Sequence, residues 1–354
     1  MTFPPAGFHD SLPKPSRLLN IGLVGCGEIA NIAHLPAYQN AGFPVIACYD
    51  INPKAAEETA HKFGIPLVYQ TLDELLENPL IDIVDIAFHV SGRLEVISAS
   101  AQAGKHLLVQ KPLAHSLEDA RVMVRLAQTH HVKLQVNQQA RWAGTFQLVK
   151  ACIAEGLLGE LNFLSLHVTG WQDDPNKWYS QQPNFTIVDH GIHYLDLLRF
   201  WAGKEPKRVM AIHSRPLHQV SAAPLVYSVL LDFGPHLHAC HSFNDKCETQ
   251  NPWTLSARID GERGTLWADY HTVRIQTKKG DSWEYTPKTQ WFPDAFAGPM
   301  ADLMDAILYD REPLCSGRDN LHTLALTLSA QQSANTGSFI PLDFTGSTWT
   351  TKIP

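Results

Sequence analysis

Three short stretches hold residues whose types and spacing could do chemistry. The first is Ile21-Gly-Leu-Val-Gly25-Cys26-Gly27-Glu28-Ile29-Ala30. Gly25-x-Gly27-x-x-Ala30 is the dinucleotide pattern with alanine in the third small position. Gly25 permits a tight turn, Gly27 lets a pyrophosphate approach the backbone, and Ala30 lets helix and strand pack closely. Asp50 follows Gly27 at close to the offset of about 20 residues where a carboxylate meets the adenosine ribose. It would accept from both ribose hydroxyls and repel a 2′-phosphate, and no arginine follows it closely, so NAD is expected over NADP. Lys54 is the one nearby cation. The second stretch, Gly104 to Pro112, ends a strand in Gln110-Lys111-Pro112. The third, Asp189-His190-Gly191-Ile192-His193, puts a carboxylate and an imidazole four residues apart, on one face if the segment is helical. Such a pair can share a substrate hydroxyl.

The elements that must position these residues follow from hydrophobic patterning. Apolar runs at 19–25, 45–50, 81–87, 106–110 and 132–137 alternate with helical patterns at 53–63, 92–103 and 116–129. That rhythm predicts βαβ units on a parallel sheet, with Lys111 at its carboxyl edge. After residue 138 the rhythm changes. Helices are expected at 145–155, 188–201, 296–309 and 319–336. Strands are expected at 208–214, 226–233, 236–243, 253–259, 264–270 and 272–277. The predicted fold is an α/β Rossmann domain followed by an α+β domain with a large, mainly antiparallel open sheet. The expected division is an extension over 1–18, an NAD-binding domain over 19–137, and a substrate-binding and oligomerisation domain over 138–354. Pro4, Pro5, Pro13 and Pro15 make the extension a loose leader rather than a signal peptide.

These stretches together carry a resemblance. The chain resembles the glucose–fructose oxidoreductase, inositol dehydrogenase and rhizopine catabolism (Gfo/Idh/MocA) family over most of its length. The family's Glu-Lys-Pro falls on Gln110-Lys111-Pro112, after Ala-Gly-Lys-His at 103–106. Its Asp-x-x-x-His falls on Asp189 and His193. The stretch from Gly317 to Leu342 resembles its last helix and strand. The resemblance implies an NAD(P)-dependent oxidoreductase acting on a sugar, polyol or glycoside, with Lys111, Asp189 and His193 as catalytic trio. An imidazole, ordinarily titrating near about 6.5, suits the base that takes a hydroxyl proton. Lys111 would stabilise the developing alkoxide and Asp189 would orient the hydroxyl or His193; the reverse, Lys111 as base, stays open. Cofactor-binding candidates are Gly25, Gly27, Glu28, Ile29, Ala30, Asp50, Ile51, Ala87, Phe88, His89, Gln110 and Lys111.

Departures from the family pattern bear on the site. Gln110 stands in place of glutamate. Phe88, His89 and Arg93 stand where Thr-Pro-Asn and a later histidine are usual, and are expected to remodel the wall near the nicotinamide. The double glycine before the Asp-His motif is absent, and Phe185 is expected against an apolar part of a substrate. Arg141 either binds substrate or pairs with a carboxylate; Trp178 and Trp171 either stack on a sugar or fill core. His190 and Asp196 are expected in helix-surface or capping roles.

Composition excludes other classes. Charged residues are 18% and apolar residues 44% of 354, so the chain is globular, and a net charge of −7 offers no field for nucleic acid. No run of 18 apolar residues occurs, so no membrane span is expected. Six cysteines without a CxxC pair read as thiols in a reducing cytoplasm. Histidine is abundant, 18 residues, and only His193 lies in a motif that gives it chemistry. His236, His238 and Cys240 would share a strand face, with His241 opposite; sheet packing or an interface is expected there, and no metal. The large sheet predicts a homodimer or homotetramer. Two alternatives to a freely exchanging dehydrogenase remain: an enzyme that retains NAD and acts by transient oxidation, and a dinucleotide-binding sensor without catalysis.

Overall fold

A computed structural model describes residues 3–344. The first sheet grows from short buried strands and intervening helices. Its elements are β1 (Ile21–Val24), α1 (Leu35–Ala41), β2 (Val45–Tyr49), α2 (Pro53–Phe63), β3 (Leu67–Val68) and α3 (Leu72–Glu77). They continue with β4 (Ile83–Ile86), α4 (Arg93–Gln102), β5 (His106–Gln110), α5 (Leu117–Thr129) and β6 (Leu134–Asn137). Every residue of β1, β4 and β6 is buried, as strands covered on both faces require. All pairings are parallel, in the order β3-β2-β1-β4-β5-β6. The strand order reverses at β1, which has β2 on one side and β4 on the other. Ligands of open α/β sheets bind outside the carboxyl ends at such a switch point.

The second sheet is built after α6 (Gly144–Ala154). Its members are β7 (Leu161–Thr169), β8 (Arg208–Ser214), β9 (Val226–Asp232), β10 (His238–Asn244), β11 (Thr254–Gly261), β12 (Gly264–Ala268), β13 (Val273–Thr277) and β14 (Ser282–Tyr285). The edge strand β15 (Ile340–Pro341) closes the list, and α7 (Ile192–Ala202), α8 (Ala297–Leu308) and α9 (Gly317–Thr336) are the remaining helices. The order is β14-β13-β12-β11-β7-β10-β9-β8-β15, antiparallel except for the parallel β7–β10 pair. The expected architecture is therefore the observed one. Strand β7, central in this sheet, had no counterpart among the expected elements. Its partners β10 and β11 lie far along the chain, so no hairpin announces it; the alternation of buried Leu164, Leu166 and Val168 was the available signal.

The compact units are not the contiguous segments 19–137 and 138–354. One comprises residues 11–143 and 289–321, the other 3–10, 144–288 and 322–344. The reason in the first is a shared core. Phe296, Ala297, Met300, Ala301, Leu303 and Met304, on and just before α8, pack with Ile21, Ala33, Ala37, Tyr38, Ile83 and Leu108. So α8 returns late in the chain to cover the Rossmann sheet. Gly298 is required where it lies: a Cβ there would sit 2.1 Å from Trp142. In the second unit the leader is docked rather than loose. Phe3 packs tilted against Trp283 and Phe8 edge-on against Tyr285, and Asp10 accepts from Tyr285 Oη at 2.9 Å and Lys288 N–H at 2.7 Å. Met1 and Thr2 of the expected extension, and 345–354 of the expected second domain, lie outside the described residues.

Candidate active site

The Rossmann unit brings its site residues to the carboxyl ends of four parallel strands. Gly25 leaves β1 with φ +96°, and a Cβ there would stand 3.0 Å from Phe88 Cβ and 3.2 Å from the Ala87 carbonyl. Gly27, by contrast, faces open space, with nothing within 4 Å of a built Cβ. The first glycine therefore makes the turn and the second leaves the cradle that a pyrophosphate fills. Asn31, which the motif does not include, braces this turn: its Nδ2 donates to the Cys26 carbonyl at 2.9 Å and the Gly27 carbonyl at 3.1 Å. Ala30 is buried, and Ile29 packs on the core, so what Ile29 can offer a phosphate is its backbone. Glu28 is exposed.

Asp50 does two things. Its Oδ2 accepts from Cys26 N–H at 2.7 Å, tying β2 to the glycine turn, and its Oδ1 accepts from Asn52 N–H at 2.8 Å. Each oxygen keeps a second lone pair for a ribose hydroxyl. Ile51 beside it is 91% exposed, an apolar platform of the kind an adenine ring covers. These residues fit an NAD molecule.

The helix that opens after Gly27 is widened into a π-turn over Ala30–His34, where Leu35 N–H reaches back five residues to the Ala30 carbonyl. Pro36, which has no N–H to give, follows directly. The widened turn carries His34 into the interior.

The strand-end loops after β4 and β5 are clamped together by Arg93. Its guanidinium is buried and donates to the carbonyls of Phe88, Pro112 and Leu113. Arg93 thus shapes the wall from behind, while Phe88 is half-buried and His89 exposed in front. Lys111 N–H donates to Gln110 Oε1 at 2.8 Å, and its side chain is half-buried. Arg141 is buried; it donates to the Leu314 carbonyl at 3.2 Å and pairs with Asp319 at 2.9 Å, which is the ion-pair alternative.

In the second unit, Asp189 and His193 do not share one regular helix. Asp189 lies in a π-turn over Phe185–His190; His193 lies in the first turn of α7. Gly191 joins them, its N–H bonded to the Thr186 carbonyl at 2.8 Å, five residues back. A Cβ at Gly191 would meet Tyr227 Oη at 2.5 Å and the Ile187 carbonyl oxygen at 2.7 Å, so only glycine fits. His193 is 6% exposed and Asp189 half-buried.

An aromatic stack surrounds this turn. Phe185, 7% exposed, lies face to face with Tyr179 at 4.5 Å and edge-on to Trp178 at 5.7 Å. Phe185 is thus mostly committed to packing, while Trp178 and Trp171 keep exposed faces. His190 is caged by Phe243, Trp253 and Tyr194, and its Nδ1 lies 3.4 Å from Asp245, whose carboxyl burial pushes above the usual range against the opposing pull of His190. Asp196 is fully buried and accepts from Thr323 Oγ1 at 2.6 Å. Asp196 is not a helix-surface residue, because α7 is buried nearly all round; His190 lies in the π-turn before α7 and is half-buried. On β10, His241 faces the core and His238 and Cys240 the open side; His236 precedes the strand. The His238 ring lies tilted against Phe163, centroids 5.0 Å apart, and among the described residues no group of three His, Cys, Asp or Glu is placed to hold a metal.

Comparison with known proteins places the chain in a family. The profile described as an oxidoreductase family with an NAD-binding Rossmann fold matches residues 19–138, and that of the GFO/IDH/MocA C-terminal domain matches 146–267. The chain belongs to the Gfo/Idh/MocA oxidoreductase family. It is 28% identical to a D-apiose dehydrogenase of Paraburkholderia graminis, covering 90% of this chain and 88% of that one. It is 26% identical to an inositol 2-dehydrogenase of Rhizobium meliloti, covering 89% and 96%. Among solved structures, an Agrobacterium radiobacter oxidoreductase in complex with NAD+, L-tartaric acid and magnesium superposes with a TM-score of 0.82 at 25% identity, over 92% of this chain and 98% of that one. No helix among the described residues is long and apolar enough to cross a membrane.

Proposed function

We propose that the chain is an NAD-dependent dehydrogenase that exchanges hydride between nicotinamide and a secondary alcohol of a sugar, polyol or glycoside. The observation that carries this reading is the Asp189–Gly191–His193 turn. It holds a carboxylate and a buried imidazole on a rigid helix start, in a chain whose full-length relatives are named for sugar and inositol oxidation. His193 takes the hydroxyl proton. Lys111, a point charge, stabilises the alkoxide that forms, and Asp189 orients the hydroxyl. Bound NAD supplies the hydride acceptor. Gly25, Gly27, Asp50 and Ile51 hold its pyrophosphate and adenosine, and the loops ending in Phe88 and Lys111, clamped by Arg93, flank its nicotinamide end. Trp178 offers an exposed ring to a sugar face.

The enzyme works as a homodimer or homotetramer in the cytoplasm. One face of the large sheet is core; the other carries Met210, Leu230 and Cys240 in one row and Ile212, 61% exposed, in the next. A second copy covers that face. Leu230→Asp is expected to lower the mass measured by light scattering to that of one chain.

The test is a screen of polyols, sugars and glycosides with NAD and NADP, read as absorbance of the reduced cofactor. NADH formation is expected, with His193→Ala lowering kcat at least about a hundredfold at unchanged NADH affinity. Turnover without net NADH would replace this reading with a retained-cofactor enzyme. Biological activity that survives Lys111→Ala and His193→Ala would replace it with a sensor.

A further inference from the structure

The Rossmann unit contains a buried polar cluster that none of these steps uses. His34 is fully buried, delivered inward by the π-turn. Its Nδ1 lies 2.8 Å from Asp85 Oδ2 on β4, an oxygen that also accepts from Tyr38 Oη at 2.8 Å. Its Nε2 faces two carboxamides, Gln110 Nε2 at 3.4 Å and Asn137 Nδ2 at 3.3 Å. Gln110 and Asn137 are direct partners at the ends of β5 and β6.

The direction of these bonds is fixed by chemistry. Lys111 N–H can only donate, so the Gln110 atom 2.8 Å from it is the carbonyl oxygen, and the amide nitrogen faces His34. His34 Nε2 must then accept. Its one proton is on Nδ1, aimed at Asp85. The tautomer and the amide orientation support each other.

We propose that Gln110 is a positioning residue for Lys111: neutral His34 holds its carboxamide, which in turn fixes the first peptide beyond β5. The inference rests on Lys111 acting in the proposed reaction. The groups facing His34 are Asp85 from β4, Tyr38 from α1, Gln110 from β5, Asn137 from β6 and the Phe296 ring, 5.1 Å away. A glutamate at 110 would still accept from Lys111 N–H, but its other oxygen would face the Nε2 lone pair where the amide donates to it.

The test is 15N spectroscopy of the histidine rings in the full-length protein. Wild type is expected to show His34 with hydrogen on Nδ1 and a bare Nε2. Gln110→Met, which can neither accept nor donate, is expected to lose exchange protection at the Lys111 amide. With a substrate from the screen, its kcat should fall about tenfold with KM for NAD within about twofold. A wild-type His34 with its proton on Nε2 overturns the proposal. So does an unchanged Lys111 amide in Gln110→Met. The ring and exchange measurements need no turnover, so a failed dehydrogenase reading would be recognised separately.

Discussion

Gly191→Ala probes the turn between Asp189 and His193. The added methyl would stand 2.5 Å from Tyr227 Oη and 2.7 Å from the Ile187 carbonyl oxygen, where 3.0 Å is already closer than real Cβ atoms come. One side or the other must move by about half an ångström. Tyr227 cannot swing aside: it is buried, and its Oη lies 2.8 Å from His241 Nε2. Ile187 is backbone of the π-turn. Overpacking of this kind costs about 1–3 kcal/mol, which in a domain of this size lowers Tm by about 2–10 °C. Because His193 lies two residues on, the displacement is also expected to lower kcat about 10- to 100-fold. The assay is Tm and kcat for Gly191→Ala, Tyr227→Phe and the double variant. Removing the Oη should relieve the closer of the two contacts, so the double variant should be more stable than the sum of the single losses. Wild-type Tm and kcat in Gly191→Ala, or strictly additive losses in the double variant, would refute the reasoning.

Two other outcomes follow from the geometry. His241 donates from Nδ1 to the Leu166 carbonyl and accepts Tyr227 Oη at Nε2; burial pushes its pKa down to about 3. The unfolded imidazole titrates near about 6.5, so stability present above that pH is lost as pH falls toward the folded value. The loss amounts to about 3 kcal/mol at about pH 4.5. Urea midpoints at about pH 7 and pH 4.5 should therefore converge in His241→Gln relative to wild type; equal acid losses in both proteins would sink the assignment. Asp50→Ala removes the acceptor for Cys26 N–H and, in the proposed site, the ribose partner. NADH affinity, read by fluorescence, should fall about 10- to 100-fold, and NADPH affinity by less, since the charge that repels a 2′-phosphate is gone. Equal losses for the two cofactors would count against Asp50 as the ribose ligand.

What the sequence determined by itself is what short stretches of chain decide. The glycine turn, Asp50 at the end of β2, Lys111 at the end of β5 and the parallel sheet all follow from local spacing and periodicity, because each is settled by neighbours within a turn or a strand. The tertiary structure decided the rest. His34, Tyr38, Asp85, Gln110 and Asn137 meet only when four elements pack, so His34 stands in no motif. Arg93 looked like a wall residue and is a clamp, because the carbonyls it satisfies are those of Phe88, Pro112 and Leu113 on two separate loops. Asp189 and His193 are four apart in either reading, but the π-turn over Phe185–His190 and the approach of Gly191 to Tyr227, a residue on a later strand, exist only in the folded chain. Strand β7 and the return of α8 to the first sheet were hidden for the same reason. Their stabilising partners lie far along the chain, and apolar burial is indifferent to sequence distance.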